Sequence, residues 1–144
     1  MKCSAAAWGT ALTLVTVMAA AAAPAVAHGQ ASDRARSARR IVLTNSDGGR
    51  AVTVTSGDDI EVRLTGNRAN GLTYSWSRPT SSEPTVLERV SGGTTPSGSA
   101  TAVFHAEHGG TATITAQRRC HADRGHYCPL VVTPWKAKVK VEVK

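Results

Sequence analysis

From residue 41 onward, apolar and polar residues alternate with a period of two, the spacing that puts successive side chains on opposite faces of a β-strand. In DIEVRL, Ile60, Val62 and Leu64 share one face while Glu61 and Arg63 take the other. ATAVFHA groups Ala100, Ala102, Phe104 and Ala106, with His105 facing away, and TATITAQ groups Ala112, Ile114 and Ala116. KAKVKVEVK sets Ala137, Val139, Val141 and Val143 inward and its charges outward. RIVLT, AVTVT, LTYSWS and TVLERV bring the count to about eight strands. Turn-formers separate them at residues 45–49, 56–59, 67–71, 78–84, 91–99 and 108–110. No helical stripe and no internal repeat occurs after the first 27 residues. The pattern predicts one all-β domain over residues 41–144, an immunoglobulin-like antiparallel β-sandwich, with a small closed barrel as the alternative.

The first residues follow a different rule. Lys2 precedes an apolar, alanine-dominated run over residues 5–23, Pro24 ends it, and Ala25-Val26-Ala27 supplies the small residues of a cleavage site. Residues 1–27 therefore read as a signal peptide rather than a membrane anchor, because no stop-transfer pattern follows. Cleavage near Ala27 leaves 117 of the 144 residues, with no membrane span, in a secreted chain. Residues 28–40 read as a flexible basic leader carrying Arg34, Arg36, Arg39 and Arg40.

Composition sharpens the compartment. Export leaves Cys120 and Cys128, which most simply pair with each other across HADRGHY. Loss of Lys2 takes the formal net charge from +7 to +6. Lys136, Lys138, Lys140 and Lys144 alternate along the last strand. They fit either an anionic partner, such as a cell-envelope polymer, or a solvated face whose lysines block edge-to-edge pairing. Export and the lack of an aromatic–basic motif argue against nucleic acid.

No catalytic constellation is visible. The serines lie outside any G-x-S-x-G context, no glycine-rich loop opens a helix, and Asp58 and Asp59 sit in a turn that they are placed to stabilise. His105 and His108 with His121 and His126 could form a metal site only if two distant regions met, and CHADRGHYC has no zinc-type spacing. The chain reads as a non-enzyme without metal or cofactor. Displayed loops remain as the functional candidates. Residues 67–71 form a compact polar loop that leads into Leu72, Tyr74 and Trp76, all on one face. Residues 91–99, SGGTTPSGS, look flexible, and residues 118–135 are long, basic and stapled. Trp135 beside Pro134 is either a contact anchor or a core tryptophan.

NRANGLTY, with Asn67 and Gly71 at a fixed spacing before Leu72 and Tyr74, resembles the first loop of the chagasin family of cysteine protease inhibitors. Ser91-Gly92-Gly93 is similar to the family's glycine-rich second loop, and AVFHAEHGGTATITAQRR to the strands that follow. Either Arg118-Arg119-Cys120 or Thr133-Pro134-Trp135 corresponds to the third loop. The resemblance runs over residues 52–143. It implies an immunoglobulin-like sandwich that wedges loops from one end into the cleft of a papain-like cysteine protease or another exported hydrolase. On that reading the contact residues are Asn67, Arg68, Ala69, Asn70, Gly71, Gly92, Gly93, Arg118, Arg119, Pro134 and Trp135. Here Arg68, Ala69 and Asn70 replace the family's proline and threonines. The alternative is a cell-envelope or adhesion module that binds an anionic polymer through the basic segments.

Overall fold

A computed structural model describes residues 37–130, 132 and 134–144. The expected signal peptide and residues 28–36 of the leader lie outside the described residues. The described chain is nearly all strand: β1 (Arg40–Thr44), β2 (Ala51–Thr55), β3 (Asp59–Leu64), β4 (Asn67–Ala69), β5 (Leu72–Trp76), β6 (Thr80–Ser81), β7 (Leu87–Thr94), β8 (Ala100–Ala106), β9 (Gly110–Ala116), β10 (Arg118–Ala122) and β11 (Trp135–Glu142). A 3-10 turn, Asn45–Asp47, is the one helical element among the described residues. No helix there is long and apolar enough to cross a membrane.

Two four-stranded sheets, β1-β3-β8-β7 and β2-β11-β9-β6, carry the core, and a three-stranded sheet, β10-β5-β4, adjoins them. The alternating residues do what their spacing dictates. Ile60, Val62, Leu64, Ala102, Phe104, Ala112, Ile114, Ala137 and Val139 are all fully buried in one cluster. Burying a side chain such as Phe104 contributes about 1.5–3 kcal/mol by area transfer alone.

Several expectations need correction. Among the described residues there are eleven strands, not about eight, and the additional ones are β4, β6 and β10. Their short polar runs have no buried face to create a period-two signal. The sandwich is not wholly antiparallel, because β1 pairs in parallel with β3, and β2 with β11. β11 lies between β2 and β9, so its lysines cover a central strand's solvent face and guard no edge. Val143 is 75% exposed because β11 stops at Glu142. At the other terminus Arg40 opens β1, which shortens the leader by a residue.

The acid pair holds the β2–β3 turn. Asp58 is buried, and its carboxylate accepts the backbone N–H groups of Thr55 and Arg39, each at 3.0 Å. Asp59 reaches across to His105 Nδ1 at 2.7 Å. Buried carboxylates persist where donors replace the lost water, and Asp58 meets that condition.

Candidate functional site

The site is the small sheet and what leans on it. β5 pairs with β10 from Leu72↔Ala122 to Trp76↔Arg118, and with β4 from Ala69↔Leu72 to Asn67↔Tyr74. β5 leads into β6 and β9 into β10, and β6 and β9 pair in the core sheet, so the small sheet is a ribbon extending from the sandwich. Its tip is the Asn70-Gly71 turn between β4 and β5. Asn70 has φ 53° and Gly71 φ 72°, the left-handed pair of a two-residue type I′ hairpin. The strongest short-range hairpin signal, an Asn-Gly pair, was therefore present inside a stretch that reads as a plain polar loop.

The Cys120–Cys128 disulfide forms, with the two Cα atoms 5.9 Å apart. The segment it closes packs against the hairpin tip. Asp123 N–H donates to the Gly71 carbonyl at 2.8 Å, and His126 N–H to the Asp123 carbonyl at 2.9 Å. A Cβ on Gly71 would lie 2.5 Å from the exposed His126 ring, so a side chain there would displace that ring as well as strain the left-handed φ. Arg68 donates to Thr73 Oγ1 at 3.0 Å and pairs with the Asp123 carboxylate. Its charge is committed to bracing the tip. Asp123 and His126 were not legible as bracing residues, because nothing in a sequence marks which tip a stapled segment will touch.

Cross-strand pairing sorts the remaining side chains by face. Arg118 lies on the aromatic face with Trp76 and Tyr74, its guanidinium 3.8 Å from the Tyr74 ring centroid and 3.5 Å from Asn67 Oδ1. Arg119, paired with Ser75, lies on the opposite, hydroxyl-bearing face. On the aromatic side a hollow of about 900 Å³ is lined by Asn67, Trp76, Arg118, Pro134, Trp135 and Lys136, among others. Both indoles spend their N–H groups on backbone carbonyls, Trp76 on Thr65 and Trp135 on Thr44, each at 3.1 Å. The 3-10 turn borders this hollow. There Asp47 accepts the Thr44 N–H at 2.7 Å and pairs with Arg50, which together hold its carboxyl below the usual range.

Three predicted contact residues are placed elsewhere. Trp135 is 3% exposed and belongs to the core, with only an edge on the hollow. Gly92 and Gly93 lie inside β7, paired with Ala102 and Thr101, so they are ladder residues rather than loop residues. The second loop contracts to a turn over residues 95–99, closed by Thr95 N–H to the Ser99 carbonyl and by Gly98 N–H to the Thr95 carbonyl. That turn does reach the ribbon: Trp76 N–H donates to the Gly98 carbonyl at 2.8 Å, and Gly66 N–H to Ser99 Oγ at 3.1 Å. Gly66 and Gly98 meet so closely that a Cβ on Gly66 would lie 2.7 Å from Gly98 C. Among the described residues no group of three or more His, Cys, Asp or Glu could hold a metal ion.

No family model matches the chain, and no curated protein matches it in sequence. Its similarity is to solved structures. The cysteine protease inhibitor EhICP2 from Entamoeba histolytica superposes with a TM-score of 0.52 at 14% identity, over 74% of this chain and 98% of that one. Amebosin gives 0.43 at 20% identity over 72% and 98% of the two chains. PbICP-C, solved in complex with falcipain-2, gives 0.37 at 12% identity over 75% and 93%. At such identities the likeness is one of fold. The chagasin-like β-sandwich expected from the sequence is the fold found.

Proposed function

We propose that this chain is an exported, non-enzymatic protein-binding domain that occludes the cleft of a papain-like cysteine protease with the ribbon end of its sandwich. The observation that carries the reading is the convergence at that end. The hairpin tip and the stapled segment are joined there by a backbone hydrogen bond, and the turn over residues 95–99 is tied by another to the base of the same ribbon. Loops fixed to one another in this way lose little conformational entropy on docking, which favours occlusion by shape. Asn67, Arg68, Ala69, Asn70 and Gly71 form the leading edge. Arg118 and Pro134 line the hollow beside it and would receive a side chain from the cleft rim. The turn takes the place first given to Gly92 and Gly93. Arg119 flanks the edge from the other face. Fold likeness to an inhibitor supports the reading, and the disulfide suits an oxidising, extracellular setting.

The test is titration of residues 28–144, disulfide intact, against papain. Competitive inhibition with a constant of about 1 µM or tighter is the expected result. Ala69→Arg, at an exposed strand position, should weaken it by about a hundredfold with an unchanged melting temperature. Absence of inhibition at concentrations of about 50 µM would overturn the assignment.

A further inference from the structure

The ribbon's second face carries a feature that lies outside the leading edge of the hairpin. On the side of Arg119 and Ser75, a hollow of about 410 Å³ is bordered by Arg78, Arg119, Ser75, Ser77, Thr94 and Thr95, with Trp76 and Gly98 completing its lining. No acidic residue lines it. Arg50, Arg63 and Arg68 each hold a carboxylate, whereas Arg78 and Arg119 have no acidic partner among the described residues. The hydroxyls add donors. Ser77 Oγ accepts the Gln117 N–H at 2.8 Å, which leaves its own hydrogen to give outward. Thr95 Oγ1 accepts the Ser99 N–H at 3.1 Å and shares a hydrogen with Ser97 Oγ at 2.8 Å. Ser75 and Thr94 are the remaining hydroxyls at the border.

Two guanidinium forks with surrounding hydroxyls and no carboxylate make a concave array of donors. Such an array suits a ligand with several acceptor oxygens pointing in different directions. A planar carboxylate satisfies one fork. A tetrahedral oxyanion can accept from both forks and from the hydroxyls between them.

We propose that this hollow binds a phosphate or sulfate group. The hollow shares Arg119 and Thr95 with the proposed occluding surface, but anion binding is read without a protease, so its failure and that of inhibition are distinguishable. Arg78 and Arg119 supply the charge, and Ser75, Ser77 and Thr94 the directional donors. The open setting implies weak binding of a free anion, with a dissociation constant of about 1 mM. An ester group repeated along a polymer would gain from its neighbours' effective concentration.

The experiment is an amide chemical-shift titration of the disulfide-intact domain at constant ionic strength. Its probes are inorganic phosphate, sulfate, acetate, poly(glycerol phosphate) and dextran sulfate. Saturable shifts are expected at Ser75, Ser77, Arg78, Thr94, Thr95 and Arg119 with phosphate or sulfate, and not with acetate. Arg119→Gln and Arg78→Gln should each weaken binding about tenfold. Lys138→Gln, an equal loss of charge on the exposed face of β11, should change it little. Shifts with inorganic phosphate and no tighter binding of either polymer would identify a free anion as the ligand. Tighter binding per group by one polymer would identify the polymer-borne ester. Shifts spread over every basic surface, equal shifts with acetate, or equal losses in Lys138→Gln and Arg119→Gln would overturn the proposal.

Discussion

The sandwich and the ribbon are built on opposite principles. In the sandwich, stability comes from two faces of alternating aliphatic residues that meet in one cluster, where no single contact decides the outcome. The ribbon of β4, β5 and β10 buries no residue fully, and discrete links hold it instead: an Asn-Gly turn, a disulfide, an Arg68–Asp123 ion pair and an Arg118–Tyr74 stack. Burial is collective and tolerant, whereas links are few and individually breakable. The part of the molecule that we infer meets a partner is thus the part whose shape rests on countable interactions.

The sharpest way to separate the two is to damage each and ask which part opens. Phe104→Ala, at a fully buried position, should cost about 3–5 kcal/mol and lower the global unfolding midpoint in urea. Replacing both Cys120 and Cys128 by serine should cost about 2.5 kcal/mol by the loop-entropy argument. Amide exchange should then speed up in β4, β5 and β10 before it does in β8 and β9. Uniform acceleration across all strands would mean that ribbon and sandwich form one cooperative unit. Gly71→Ala should cost about 1–2 kcal/mol, from the left-handed φ and the His126 ring together. Adding His126→Ala should recover the steric share and leave the φ share, so full recovery would place the whole cost on the ring. A double-mutant cycle on Arg68 and Asp123 should give a coupling below about 1 kcal/mol that fades in high salt, because both side chains are partly exposed.

The smallest effect belongs to Asp47, in the 3-10 turn whose neighbours Asn45 and Gly48 line the aromatic hollow. Its folded carboxyl titrates below the ordinary value of 3.8, so its contribution is present above that value. The contribution is lost as the pH falls through the lower, folded value. The melting-temperature difference between Asp47→Asn and the parent should therefore be constant near neutral pH and close at the acid end.

The contrast also explains what could be read from the sequence. Every strand with one buried face was legible from its alternation, including Ile60, Val62 and Leu64 and the Ala137, Val139 and Val141 row. Val143 broke the rule only because its strand had ended. The ribbon strands β4 and β10 were invisible, since NRA and RRCHA carry no periodic apolar face, and their pairing depends on a turn and a staple. Gly92 and Gly93 looked like loop residues because glycine density mimics a turn. In the fold they continue β7 past a bulge between Arg89 and Ser91. The candidate site was legible in part: residues 67–71 do sit at a hairpin tip. That Asp123 and His126 would hold the tip is a long-range contact with no local signature. Trp135 had two readings open, and the structure gives it to the core.

The meeting of Gly66 and Gly98 has a bearing on how this surface can diversify. The turn over residues 95–99 is fastened to the ribbon base largely through main-chain atoms, by the Gly98 carbonyl and by a glycine pair too close for side chains. Pro96, exposed at its apex, takes no part in that main-chain attachment, whereas Ser97 sets its carbonyl against Gly66 and its hydroxyl against Thr95. Replacements at Pro96 would redecorate the surface while its anchorage stays put. An engineer grafting a new recognition sequence into this scaffold would therefore start at Pro96 and leave both glycines alone.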